Sequence, residues 1–156
     1  MTTDANIMVN TGTKVIGVND NGDTIHLPLG DQEFTRNFLK LMQELSDKAQ
    51  KIAEQIKAVK EDTDKVTQLS MVADLNLTIC QQMKERVDAV FADDVCRKVF
   101  GDIIPGLDAF SEFFEKLSPF VLEYQESMRS KSEARIKKYT EKYDKQNTLG
   151  TQKAGE

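Results

Sequence analysis

The side chains able to make or break bonds are few in this sequence, and their spacing suits chemistry poorly. There is one histidine, His26, so a multi-histidine zinc site lacks a second ligand and a Ser-His-Asp relay has no spare base. The two cysteines, Cys80 and Cys96, form no C-x-x-C pair and sit in helix-like apolar stretches. They read as small buried side chains rather than a disulfide or a ligand pair. The acidic pairs Asp62 with Asp64 and Asp93 with Asp94 have the chemistry to hold Mg²⁺ or to act as acid and base, but helix caps and turns use the same residues. No G-x-G-x-x-G, G-x-x-x-x-G-K-S, H-E-x-x-H or G-x-S-x-G string occurs. The expectation is a protein that is not an enzyme and uses no metal or cofactor.

The elements that carry these residues follow from apolar periodicity. Between Lys14 and Leu29 the period is two: Ile16 and Val18, then Ile25, Leu27 and Leu29, alternate with other residues around Asp20-Asn21-Gly22-Asp23. Asn-Gly tolerates the positive φ of a tight turn, so the spacing predicts a hairpin over 14–29 that pairs Val18 with Ile25 and Ile16 with Leu27. His26 then lies opposite Gly17 on the outer face. From Asp31, a fair N-cap, the spacing changes to three and four through Phe34, Phe38, Leu41, Leu45, Ala49, Ile52, Ile56 and Val59, which predicts a long amphipathic helix. Residues 61–64 interrupt it, and a turn capped by Thr63 or Asp64 is favoured over one continuous helix. A second stripe runs through Val66, Leu69, Ala73, Leu77, Cys80, Met83, Val87 and Val90. A short helix follows, capped by Asp93 or Asp94 and stopped at Gly101. A last helix from Asp108 has Pro119 within it.

The chain has 156 residues, 39% of them apolar and 30% charged, which is enough to bury one core. Its mean hydropathy of −0.48 and the lack of a long apolar run argue against a membrane span. Residues Met1 to Val9 show no basic, then apolar, leader pattern, so the expected compartment is the cytosol. The net charge of −5 argues against a protein whose whole surface grips nucleic acid. Charge is uneven: residues 1–33 carry five acidic and one basic residue, whereas 124–156 carry eight basic and five acidic ones. The expected organisation is a flexible N-terminus over 1–12, a single helical domain over 13–145 and a disordered tail over 146–156. The fold class is α+β and predominantly α-helical, with the N-terminal β-hairpin preceding long amphipathic helices.

Two apolar surfaces are candidates for binding. Phe110, Phe113, Phe114, Leu117 and Phe120 form a wide face on the last helix. It reads either as core or as a groove for a partner. The hairpin face of Ile16, Val18, Ile25 and Leu27 must be covered too, because a two-stranded hairpin is marginal alone. Either the helices cover it or a second copy does. The basic stretch Arg129 to Lys145 includes Glu133, Glu141 and Asp144 and only Tyr139 and Tyr143 as aromatics, so it reads as an acid-pairing or solvated helix rather than a nucleic-acid site.

Three strings resemble a known family. They are Asn19-Asp20-Asn21-Gly22-Asp23-Thr24-Ile25, then Arg97-Lys98-Val99-Phe100-Gly101-Asp102, then Phe113-Phe114-Glu115 ahead of Pro119 and Tyr124. Together with the order of elements over 13–145, they resemble the small tail assembly chaperones of long-tailed, siphovirus-like phages and prophages of Gram-positive bacteria. The resemblance implies a non-catalytic protein that keeps the tape-measure protein soluble during tail morphogenesis. It implies the tape-measure protein and the tail-tube protein as partners, and no small-molecule substrate, nucleic acid or membrane. Homo-oligomerisation stays open. The implied location is the host bacterial cytoplasm, with the protein absent from the mature virion. On this reading Phe110, Phe113, Phe114, Leu117 and Phe120 are the client groove and Ile16, Val18, Ile25 and Leu27 the self-association face. The alternatives are a structural or scaffolding component of the particle and a cytosolic helical adaptor.

Overall fold

The computed structural model of the chain describes residues 3–154, and side chains up to residue 144. Its contacts divide the chain into two units, Met1–Leu117 and Ser118–Glu156, where the sequence suggests one domain over 13–145.

In the first unit, β1 (Thr13–Gly17) and β2 (Thr24–Pro28) form the antiparallel hairpin. The register differs from the expected one by two residues: Ile16 lies opposite Ile25 and Lys14 opposite Leu27. Asn19 is the reason. Its Oδ1 accepts from the N–H groups of Asn21 (2.9 Å) and Asp23 (3.2 Å), and its Nδ2 donates to the Asp23 carboxylate at 2.8 Å. A wider loop organised by this side chain replaces the two-residue turn at Asn21-Gly22. Because the shift is even, Ile16, Ile25 and Leu27 keep the same face. His26 is exposed, opposite Val15 rather than Gly17. Behind β2, Gly30 is a contact that only glycine permits: a Cβ there would lie 1.7 Å from the Thr11 carbonyl oxygen.

Asp31 caps α1 (Gln32–Ala58) by accepting from the N–H groups of Glu33 and Phe34. The interruption at 61–64 is a break. Asp64 caps α2 (Lys65–Phe91), taking the Thr67 N–H at 2.9 Å and its hydroxyl at 2.6 Å. Both pairings between the helices, Glu44 with Arg86 and Lys48 with Gln82, fit one antiparallel register. Ala92 ends α2 at a φ of 52°. α3 (Val95–Phe100) is capped from another helix: Asp94 makes no capping bond with its side chain, and Asp88 Oδ1 accepts the Cys96 N–H at 2.9 Å. Gly101, at a φ of 81°, stops α3 as expected.

α4 (Leu107–Ala154) contains Pro119. Its backbone stays helical over 146–154, where the sequence suggests a disordered tail, because nothing between Lys145 and Leu149 breaks the ladder that precedes it. Residues 155 and 156 of that expected tail lie outside the described residues, as do the first two of the N-terminal stretch 1–12. Residues 5–12 of that stretch have no regular structure.

The core of the first unit is aromatic. Phe34, Phe38, Phe91, Phe100, Phe110, Phe113 and Phe114 form one connected cluster of ring contacts, with centroids 5.3–6.4 Å apart. Most of the pairs meet edge to face, the favoured geometry for ring quadrupoles.

Candidate protein-docking site

The five residues expected to line a client groove do not form one. Phe110 (0% exposed), Phe113 (7%), Phe114 (2%) and Leu117 (4%) are buried in the chain's own core, and Phe120 is half-buried. Phe114 packs against Phe38 of α1 at 5.7 Å, and Phe113 packs against Phe91 of α2 and Phe100 of α3. The width of this face, which suggests a groove in the sequence, is filled by three helices instead of one. The hairpin face meets the same end. Ile25 and Leu27 are fully buried and Ile16 and Val18 half-buried, so little of it is left for a second copy.

The three strings that carry the family resemblance are joined in space. Asn19 Nδ2 donates to the Lys98 carbonyl at 3.0 Å, and Lys98 Nζ reaches back to the Thr24 carbonyl at 3.1 Å and the Asp93 carboxylate at 2.7 Å. Phe100 then meets Phe110 and Phe113. The first string is thus pinned to the second around a polar cleft of about 500 Å³, and the second is joined to the third by ring contacts. Lys98 holds the Asp93 carboxyl below the usual carboxylate range, helped by the Asp94 N–H. Arg97 pairs with Asp94. These acids are engaged with basic neighbours and backbone, and Asp64 is occupied by Thr67, which lowers its pKa. Among the described residues, no three His, Cys, Asp or Glu side chains are grouped to hold a metal ion.

Both cysteines are buried and free. Burial pushes both thiols up, and for Cys96 the Asp88 carboxylate adds to the effect, the opposite of the lowered pKa that activates a cysteine.

Uncovered apolar surface lies elsewhere. The predicted α2 stripe splits: Cys80, Met83 and Val87 are buried, whereas Val66 (77% exposed), Leu69 (60%) and Leu77 (48%) face outward. Val72, Leu75 and Ile79, a different face of the same helix, are less exposed. Ile104, 37% exposed, shares a separate cleft with Gln81, Lys84, Glu85 and Asp88 of α2. The signal was present in the sequence: residues 66–79 carry two apolar faces, of which Val72, Leu75 and Ile79 are less exposed and Val66, Leu69 and Leu77 are uncovered. A second uncovered stripe, Ile136, Tyr139 and Tyr143, belongs to the second unit. Among the described residues, no helix is long and apolar enough to cross a membrane.

No curated protein and no solved structure matches the chain. A family model does, from residue 21 in the hairpin loop to residue 154 at the end of α4, and so takes in β2 of the hairpin and all four helices. On that match the chain belongs to the family of unknown function DUF6673.

Proposed function

We propose that this chain is a non-catalytic helix-binding protein, and that it acts as a tail assembly chaperone in a phage or prophage, holding the tape-measure protein soluble in the host cytoplasm until tail-tube subunits enclose it. The observation that carries the reading is the outward stripe Val66, Leu69 and Leu77 on α2. Three large apolar side chains at helical spacing, uncovered on a firmly capped helix, form the surface that an amphipathic helix fits with its own apolar face. A tape-measure protein is long and helical and exposes such faces. The client site therefore moves from Phe110, Phe113, Phe114 and Leu117, which the core uses, to α2.

Co-expression with the tape-measure protein from the same genome tests the proposal. A soluble complex that co-purifies, together with absence of the chain from mature particles, is the expected result. A tape-measure protein that stays insoluble beside this chain contradicts the chaperone role. Recovery of the chain in finished particles favours a structural component instead.

A further inference from the structure

The outward stripe on α2 has a counterpart within the same chain. On the second unit's stretch of α4, Ile136 (65% exposed), Tyr139 (73%) and Tyr143 (64%) form another uncovered apolar stripe at spacings of three and four. We infer that this helix of one copy docks on the α2 stripe of a second copy, so that the chain assembles head to tail before any client arrives. The inference deepens the docking reading of α2 given above: it names what covers that face in the absence of a client.

Charge selects the pairing. Residues 61–77, which bear the α2 stripe, hold four acidic residues and one basic, a net −3. Residues 129–145, which bear the other stripe, hold seven basic and three acidic residues, a net +4. The whole units show the same contrast: 1–117 has 20 acidic and 13 basic residues, and 118–156 has six and eight. Pairing either stripe with itself sets like charges face to face, which is unfavourable, whereas pairing one with the other sets opposite charges together.

Spacing agrees. Val66, Leu69, Ala73 and Leu77 recur at three, four and four residues, spanning about 16 Å of helix at 1.5 Å per residue. Ile136, Tyr139 and Tyr143 recur at three and four and span about 10 Å, so the shorter row fits within the longer one. Ala73, exposed between Leu69 and Leu77, leaves a gap into which a tyrosine ring fits. The two surfaces differ, so the contact is heterologous. Each copy in a pair still carries one unused face of each kind, and growth continues until a ring closes or a filament forms. A client helix displaces the neighbour's helix by competing for α2.

The test is sedimentation and light scattering of the full chain at tens of micromolar, in low salt and in about 0.5 M salt, where surface charge pairs are screened. The expected result is a species larger than the monomer in low salt, with association at least about tenfold weaker in high salt. Two variants are compared, Leu69→Gln with Leu77→Gln and Ile136→Gln with Tyr139→Gln, all at exposed positions. Each variant alone is expected to be monomeric. An equimolar mixture is expected to form a dimer and stop, because one partner supplies the intact α2 stripe and the other the intact α4 stripe. Restored association in the mixture also shows that both variants are folded. A wild-type chain that stays monomeric across the concentration range overturns the inference, as does assembly that survives in either variant, or a mixture of circular-dichroism-normal variants that stays monomeric. Copies that assemble and complement yet fail to solubilise the tape-measure protein leave the inference standing and remove the chaperone reading. A monomeric chain that still solubilises it does the reverse.

Discussion

The two ends of the α1–α2 pair are built from the same kind of sequence and meet opposite fates. At one end Phe34, Phe38, Leu41, Met83, Val87 and Phe91 are buried, with Phe38 against Phe114 and Phe91 against Phe113 of α4. At the other end Ile56, Val66, Leu69 and Leu77 recur at the same helical spacing and are exposed. Periodicity tells which residues share a face. It does not tell whether another element arrives to cover that face. The covered end has α3 and the first turns of α4 against it, and the apolar residues of the open end stay exposed.

Mutations separate the two ends, and the largest effect belongs to the rings. Phe114→Ala, which removes the ring between Phe38 and Phe113, should cost about 3–5 kcal/mol in denaturant unfolding, enough to unfold a marginal domain. Leu69→Gln at the open end should change stability by less than about 0.5 kcal/mol. Equal costs at the two positions would erase the contrast.

The hairpin junction sharpens it next. Lys98→Met removes the bonds to the Thr24 carbonyl and the Asp93 carboxylate and should cost about 1–2 kcal/mol. The associated pH dependence has a definite sign. Lys98 lowers the Asp93 pKa in the folded chain from its ordinary 3.8, so Asp93 contributes stability at neutral pH that is lost as pH falls below about 4. Unfolding curves between pH 3 and 6 should show a flatter acid dependence in Lys98→Met than in the wild type. The smallest effect is a gain: Ala92 occupies the left-handed region at a φ of 52°, and Ala92→Gly should add about 0.5–1 kcal/mol in the same assay.

Much of the fold was legible in the sequence because local chemistry decides it. Asp31 and Gly101 mark ends that the structure places where propensity does, and the break at 61–64 follows from Asp64 as a cap. The hairpin was legible but its register was not, because Asn19 closes a wider loop with side-chain bonds that outweigh the Asn21-Gly22 signal. The N-cap position of α3, Asp94, was legible, but the side chain that makes the capping bond was not, because Asp88 reaches the Cys96 N–H from eight residues away. The candidate site was the least legible part. A phenylalanine face on one helix looks the same in sequence whether three helices or a client cover it, so Phe110, Phe113 and Phe114 read as a groove as easily as a core. The outward α2 stripe was visible as periodicity, but periodicity does not say whether a neighbour covers a face, and only the structure shows Val66, Leu69 and Leu77 exposed.

On the proposed function, a partner helix binds the uncovered face of α2 and not the phenylalanine cluster. The most direct measurement is co-purification of the tape-measure protein with the variant Leu69→Gln with Leu77→Gln, alongside its melting curve. The expected result is a melting temperature within a few degrees of the wild type and loss of the co-purified client. A variant that melts normally and retains its client at wild-type levels would contradict it.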